Sequence, residues 1–376
     1  MDPRINYLTW VKNLYKDLIR LDQSGPFYNL TASSIAQPID SFSNHLMLGL
    51  SRKALERTDP WSHPQLVERI SRIESVKPEN IMLSSGASGA LFLICRTILE
   101  KGAHVIVETP CYEPLIAIPE FIGAEISYFN RKPENDYRID PDELDSSILD
   151  RTKLIILTNL HNPSGYFIRD NELLSILEVG RKHNKEIKIL VDEVYHRFVD
   201  QGILSAAKLD DGFISINSIS KVYGLFMLRC GWIVAESKLI DNLRRVFILT
   251  ENIGSPLNES VSSIFFQHLE DYNVYSQTIL LENRKIIEET VRPLLDEGYL
   301  EGEIPEFGCI YFPRLVGIDD TRLFAQALGE RQHVFLVPGR FFGSPQHVRI
   351  GFGGKPNVLR EGLIRFGQEL RLRRNK

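Results

Sequence analysis

The chain has 376 residues, of which 43% are hydrophobic, 25% charged and 10% aromatic. Those proportions exclude a disordered or collagen-like polymer, and the length allows a large core divided most simply between two domains. A net charge of −5, from 44 basic and 49 acidic residues, gives no chain-wide attraction to nucleic acid or to an anionic membrane, so neither is expected as a partner.

The opening Met1-Asp2-Pro3-Arg4-Ile5-Asn6 is not a basic lead into an apolar stretch, so no secretory signal is expected. A helical pattern covers 8–21, followed by a polar, irregular segment over 24–40. Between about 81 and 236 short apolar runs (81–83, 104–107, 126–129, 154–157, 187–191, 213–216 and 232–234) alternate with amphipathic stretches such as 90–99, 114–121 and 171–183. Several runs are continuous rather than alternating, as in strands buried on both faces of a parallel sheet. Such alternation predicts an open sheet with helices on both sides. Beyond 261 the pattern predicts a long helix over 274–295, mixed short elements, and a closing helix from about 358. The basic end, Arg371-Leu372-Arg373-Arg374-Asn375-Lys376, reads as a solvated helix terminus whose cations complement the dipole. No run reaches the roughly 18 apolar residues that span a bilayer. The four cysteines, Cys95, Cys111, Cys230 and Cys309, form no CxxC pair; free thiols, a cytoplasmic location and no metal site are expected.

Ligands of open α/β sheets bind beyond the carboxyl ends of the strands, so the residues that follow each run are the informative ones. After 81–83 comes Ser84-Ser85-Gly86-Ala87-Ser88-Gly89, small residues opening a helix, as an anion cradle requires. The Walker pattern is absent, and the later Gly351-Phe352-Gly353-Gly354 completes no dinucleotide fingerprint. After 104–107 stands Glu108-Thr109-Pro110-Cys111-Tyr112, whose tyrosine is placed either to stack on a planar ligand or to pack in the core. The turn Asn159-Leu160-His161-Asn162-Pro163-Ser164-Gly165 follows 154–157; its histidine reads as a satisfied loop residue rather than a general base or metal ligand. Asp192 ends the run 187–191, and a carboxylate there is costly to ionise without a cation or donor facing it. Finally, 213–216 leads to Asn217-Ser218-Ile219-Ser220-Lys221, a lysine flanked by two hydroxyls, with Arg229 and Gly231 downstream.

In order, Pro110-x-Tyr112, Asn159-x-x-Asn162-Pro163-Ser164-Gly165, Asp192-x-x-Tyr195, Ser218-x-Ser220-Lys221-x-x-Gly224 with Arg229 and Gly231-Trp232, and a late Val348-Arg349-Ile350 resemble the class I/II aminotransferases, pyridoxal-phosphate enzymes of fold type I. The resemblance runs from about residue 29 to the C-terminus. It implies an α/β fold with a three-layer large domain around a mostly parallel central sheet, over 41–267. A smaller α/β domain would comprise 268–376 joined by the N-terminal segment 1–40. Lys221 is then similar to the Schiff-base lysine, and Asp192 to the partner of the pyridinium nitrogen. Asn162 and Tyr195 would hydrogen-bond the phenolic oxygen, and Tyr112 would stack on the ring. Gly86, Ala87, Ser88, Ser218, Ser220 and Arg229 would hold the phosphate. Arg349 would clamp a substrate carboxylate, with Ala36 in the loop above it and Asn162 beside it.

The resemblance further implies a homodimer, and transfer of an amino group from an L-amino acid to a 2-oxo acid. Because the same scaffold serves amino-acid lyases and cyclising dehydratases, those outcomes stand beside transamination. An aminotransferase-like regulator would need an N-terminal DNA-binding module, for which about 30 residues are too few. The sequence departs from the family at Leu160 and Ser164, often proline and threonine. It also lacks, over 56–61, the tyrosine that reaches the partner's phosphate; Arg57 is the nearest cation there. Arg284 and Arg292 read as surface charges, and Phe27, Tyr28, Tyr223 and Tyr311 as candidates to line the pocket.

Overall fold

A computed structural model describes residues 7–22, 26–50 and 63–374. Helix α1 (Tyr7–Asp22), strand β1 (Tyr28–Asn29) and helices α2 (Ile39–Gly49) and α3 (Pro64–Glu74) precede the main sheet. All seven apolar runs become its strands: β2 (Ile81–Ser85), β3 (His104–Thr109), β4 (Glu125–Asn130), β5 (Thr152–Thr158), β6 (Lys188–Asp192), β7 (Phe213–Ser218) and β8 (Cys230–Val234). Their order is β2-β8-β7-β6-β5-β3-β4. Strand β8 pairs antiparallel with both neighbours, and every other adjacent pair is parallel.

Helices α4 (Gly86–Ile98), α5 (Pro114–Ile122), α6 (Pro141–Ser147), α7 (Asp170–His183) and α8 (Ser237–Thr250) flank this sheet. The continuous apolar runs follow from burial on both faces. In β5, Leu154 and Ile156 pack with Val105, Leu91 and Leu190 on one side, while Ile155 and Leu157 meet Phe129, Ile176 and Val191 on the other. Each such side chain contributes about 1.5–3 kcal/mol through the apolar surface it removes from water, which makes the sheet a firm base for the residues at its edge.

Beyond α9 (Pro256–Gln267) the long helix α10 (Leu269–Asp296) leads into short strands β9 (Leu300–Glu301), β10 (Ile310–Tyr311) and β11 (Arg314–Leu315). Helix α11 (Thr321–Gln332), β12 (Val334–Phe335), β13 (Val337–Pro338), β14 (Val348–Gly351) and helix α12 (Pro356–Arg374) complete the chain. Strand β14 lies between β10 and β13. The N-terminal segment joins this C-terminal part, because β1 pairs parallel with β12. Its next residues cross so closely that a Cβ on Gly351 would lie 1.9 Å from the Ala32 carbonyl oxygen, and one on Gly353 2.3 Å from that of Ser34. Gly351 and Gly353 therefore serve close backbone approach.

Two expectations need correction. Arg284 is half-buried and donates to the carbonyls of Pro305 at 2.8 Å and Gly308 at 3.3 Å, so it pins a loop rather than sitting in solvent. The C-terminal cations do more than meet a dipole: Arg371 pairs with Glu297 and Arg373 with Glu369. Arg292 is partly exposed and pairs with Glu288. All four cysteines are buried and free. Among the described residues, no helix is long and apolar enough to cross a membrane.

Candidate active site

The carboxyl ends of β2, β3, β5, β6 and β7 converge on a cavity of about 170 Å³. Asp192 is the last residue of β6 and the register partner of Thr158, the last of β5. Its Oδ1 accepts the Val194 N–H at 3.2 Å. Burial, reinforced by nearby Glu108, pushes its carboxyl up to about 6, against the Val194 N–H and the Lys221 ammonium. Lys221 follows the end of β7 by three residues, and its Nζ reaches the Ser33 hydroxyl at 3.4 Å. Burial, with the Arg349 guanidinium in the same sense, holds its amine below the ordinary lysine range; Tyr7, Cys309 and Asp192 oppose that shift.

The uncapped start of a helix adjoins these two groups. Helix α4 begins at Gly86, with φ of +75°, and Ser85 before it makes no side-chain cap. The Ser85 hydroxyl is turned instead to Glu251. The N–H groups of the first turn thus keep no intrahelical acceptor, and Ala87 and Ser88 face the cavity alongside Ser218, Ser220 and Arg229. Arg229 donates to the Ser85 carbonyl at 2.9 Å. A Cβ on Gly86 would lie 2.6 Å from Arg229 Nη2, and one on Gly231 would lie 2.5 Å from the Gly86 carbonyl carbon. Only glycines let strand, helix start and guanidinium meet, which sets backbone donors and a cation side by side at the cavity.

On the opposite side stands Arg349 of β14, 1% exposed. Its Nη1 donates to Asn162 Oδ1 at 3.1 Å, and its Nη2 to the Tyr7 hydroxyl at 3.2 Å and the Thr31 carbonyl at 3.1 Å. The Phe342 ring lies 5.1 Å from its guanidinium carbon. Its Nε is buried without a hydrogen bond, and among the described residues no carboxylate pairs with it. The Tyr195 hydroxyl is likewise buried and lies near Ser33 without completing a hydrogen bond of ordinary geometry. Tyr112 meets Tyr7 edge to face at 5.8 Å, and burial pushes its phenol up to about 12.

Every sequence-predicted site residue except Gly86 and Ala36 lines this one cavity. Gly86 lies behind Arg229, and Ala36 one layer out, with its N–H on the Gly353 carbonyl at 2.7 Å. Both His161 ring nitrogens are engaged, Nδ1 with Ser164 Oγ at 2.6 Å and Nε2 with the Pro110 carbonyl at 2.8 Å, as a satisfied loop histidine should be. The aromatic candidates Phe27, Tyr28, Tyr223 and Tyr311 are not among the lining residues. Tyr223 bonds Gln201, Tyr311 bonds the Gly302 carbonyl, Tyr28 lies under Arg365 and Phe27 packs on Phe335. Sequence reasoning missed Tyr7, Ser33, Thr158 and Phe226, which do line it. Thr158 carried a signal, as a polar residue ending an apolar run. The stretch 56–61, with Arg57, lies outside the described residues.

A buried acid, a lysine of lowered basicity, a glycine-built helix start beside Arg229 and, among the described residues, a buried guanidinium without a carboxylate partner surround one cavity and mark it as an enzyme site. The chain belongs to the class I and II aminotransferase family, which matches residues 29–366. It is 30% identical over 292 residues to the capreomycidine synthase of Streptomyces vinaceus, covering 77% of this chain and 74% of that one. It is 28% identical to the aspartate aminotransferase of Bacillus subtilis over 80% of this chain and 79% of the relative. The fold matches a crystal structure of a PLP-dependent aminotransferase from Streptococcus suis with a TM-score of 0.84 at 26% identity, covering 95% and 96% of the two chains.

Proposed function

We propose that this enzyme transfers an amino group from an L-amino acid to a 2-oxo acid. Its cofactor is pyridoxal 5'-phosphate, and the residues present fit that group. The uncapped start of α4 and the glycine pair Gly86 and Gly231 leave room and donors for a phosphate, and the buried Tyr195 hydroxyl and Arg349 Nε await partners. Backbone groups of Gly86, Ala87 and Ser88, the Ser218 and Ser220 hydroxyls and Arg229 would hold the phosphate. Asn162 and Tyr195 would bond the phenolic oxygen, and Tyr112 would cover the ring. Asp192 would face the ring nitrogen, whose positive charge answers the acid's need for a cation.

When bound, the cofactor supplies a sink for the electron pair left on the substrate Cα as its proton departs. Lys221 would hold the cofactor through Nζ, and the same amine, once free, would take and return that proton. Its lowered basicity favours the neutral amine this requires. Arg349 would take the substrate carboxylate as a fork, with Asn162 steadying Nη1 and the loop of Ala36 above. The observation carrying the reading is the conjunction, in one cavity, of Asp192, Lys221 and a buried guanidinium that no carboxylate among the described residues pairs with.

The test supplies an amino acid with and without a 2-oxo acid. Equal formation of a new amino acid and a new oxo acid, dependent on the added oxo acid, supports transamination. Ammonia or a ring product formed without oxo acid would replace it with a lyase or cyclase. That second reading draws on the 30% identity to a capreomycidine synthase, which is not named an aminotransferase.

A homodimer is part of the proposal. Met47 and Leu48 of α2 are 82% and 84% exposed, and Leu257 of α9, which packs on α2, is 58% exposed. A second copy would cover such apolar surface, and sedimentation should give twice the chain mass. The division into 41–267, and 268–376 with 1–40, and a cytoplasmic location complete the proposal.

A further inference from the structure

Glu108 is the penultimate residue of β3, 0% exposed, and does not line the cavity. A carboxylate there is costly unless it is paired and hydrogen-bonded. Three donors answer it: Arg131 Nη1 on Oε2 at 2.8 Å, and on Oε1 both the Thr158 N–H at 2.6 Å and the Thr158 hydroxyl at 2.5 Å. With its proton committed to Glu108, the Thr158 hydroxyl has only lone pairs to offer, and it accepts the Asn162 N–H at 3.1 Å. Asn162 in turn presents Oδ1 to Arg349 Nη1. Thr158, Asn162 and Arg349 are respectively 4%, 6% and 1% exposed, so no water competes easily for these bonds.

We propose that Glu108 is a positioning residue for the substrate-carboxylate clamp, acting through the Thr158 hydroxyl on the backbone of Asn162 and so on Arg349. Glutamine at 108 would offer a donor where Thr158 now meets only acceptors. The hydroxyl could then turn, and the Asn162 N–H would lose its fixed acceptor. If Glu108 served stability alone, by tying β3 to Arg131, its loss would affect ligands with and without a carboxylate alike. The inference rests on Arg349 as the clamp, as proposed above.

The test uses the full-length holoenzyme and two probes. One is 2-methylalanine, whose Cα carries no removable proton; the other is isopropylamine, which has the amine and no carboxylate. Binding is read from the cofactor absorption band. Thr158→Val should weaken 2-methylalanine about tenfold, as expected for one lost hydrogen bond in a charged network, and change isopropylamine by less than about twofold. Thr158→Ser should restore the amino-acid affinity, and a folded Glu108→Gln should reproduce the valine pattern; where Glu108→Gln does not fold, the Thr158 pair decides. Equal loss of both probes, no loss, or failure of serine to restore binding overturns the proposal. Arg349→Ala separates the two readings. If it leaves 2-methylalanine binding intact, the clamp itself is wrong; if it abolishes binding while Thr158→Val is silent, only the role of Glu108 and Thr158 falls.

Discussion

Arg349 Nη1 and Asn162 Oδ1 lie 3.1 Å apart although 187 positions separate the two residues along the chain. The bond joins β14 to the turn after β5, so the proposed carboxylate clamp is assembled only where the C-terminal strands pack against the main sheet. Arg349→Lys keeps a charge but not the planar fork. It should raise the KM for amino acids at least about tenfold with a smaller change in kcat, in steady-state kinetics. An unchanged KM would remove Arg349 from the clamp.

Lys221→Ala should abolish turnover while the folded protein still takes up pyridoxal phosphate, because the phosphate and ring contacts come from other residues. Equilibrium dialysis of the cofactor and an activity assay check the two halves separately. Full activity would contradict the assignment.

Asp192 carries a pH signature. In the unfolded chain its carboxyl ionises near 3.8, whereas in the fold burial holds the proton up to about 6. The folded state therefore binds the extra proton between those values, so stability is gained as pH falls through about 6 and the penalty is fully present above it. In the cofactor-free protein Asp192→Asn should remove that penalty and raise stability by on the order of 3 kcal/mol near neutral pH. The gain should vanish at about pH 3.5. Denaturant melts at both pH values test this, and equal stability of the two proteins at neutral pH would refute it.

Gly231→Ala would place a methyl against the backbone of Gly86 and displace the start of α4. Cofactor affinity should fall about tenfold or more and thermal stability with it, since backbone rather than a flexible side chain must yield. Gly354→Ala, where a Cβ meets nothing within 4 Å, should be close to neutral in the same cofactor titration.

Tyr7 closes the cavity with its ring against Tyr112, Phe341 and Phe342 and its hydroxyl on Arg349. Tyr7→Ala should raise the KM for amino acids several-fold, and Tyr7→Phe should recover the part due to the ring. Two equal KM values would assign the whole effect to the hydroxyl.

Strand ends were legible because they depend on local pattern. A continuous apolar run marks a strand buried on both faces, and the polar residue that interrupts it, such as Asp192 or Thr158, marks the rim where ligands bind. Helix α1 was legible as a helix over 8–21, yet nothing in its periodicity distinguishes Tyr7, at its first turn, from an ordinary core aromatic. Arg284 misled for a related reason. Its helical position suggested solvent, and only the loop folded over α10 supplies the carbonyls that take its guanidinium.

By itself the sequence determined the order of strands and helices, the small residues at the start of α4, and the acid and lysine that close β6 and follow β7. Tertiary structure alone decided that Tyr7 and Ser33 reach the same cavity, that no carboxylate among the described residues pairs with Arg349, and that Glu108 stands behind Thr158. The difference is physical. Periodicity and turn chemistry act over a few residues, whereas these contacts depend on how distant surfaces, each already buried for its own apolar reasons, come to face one another.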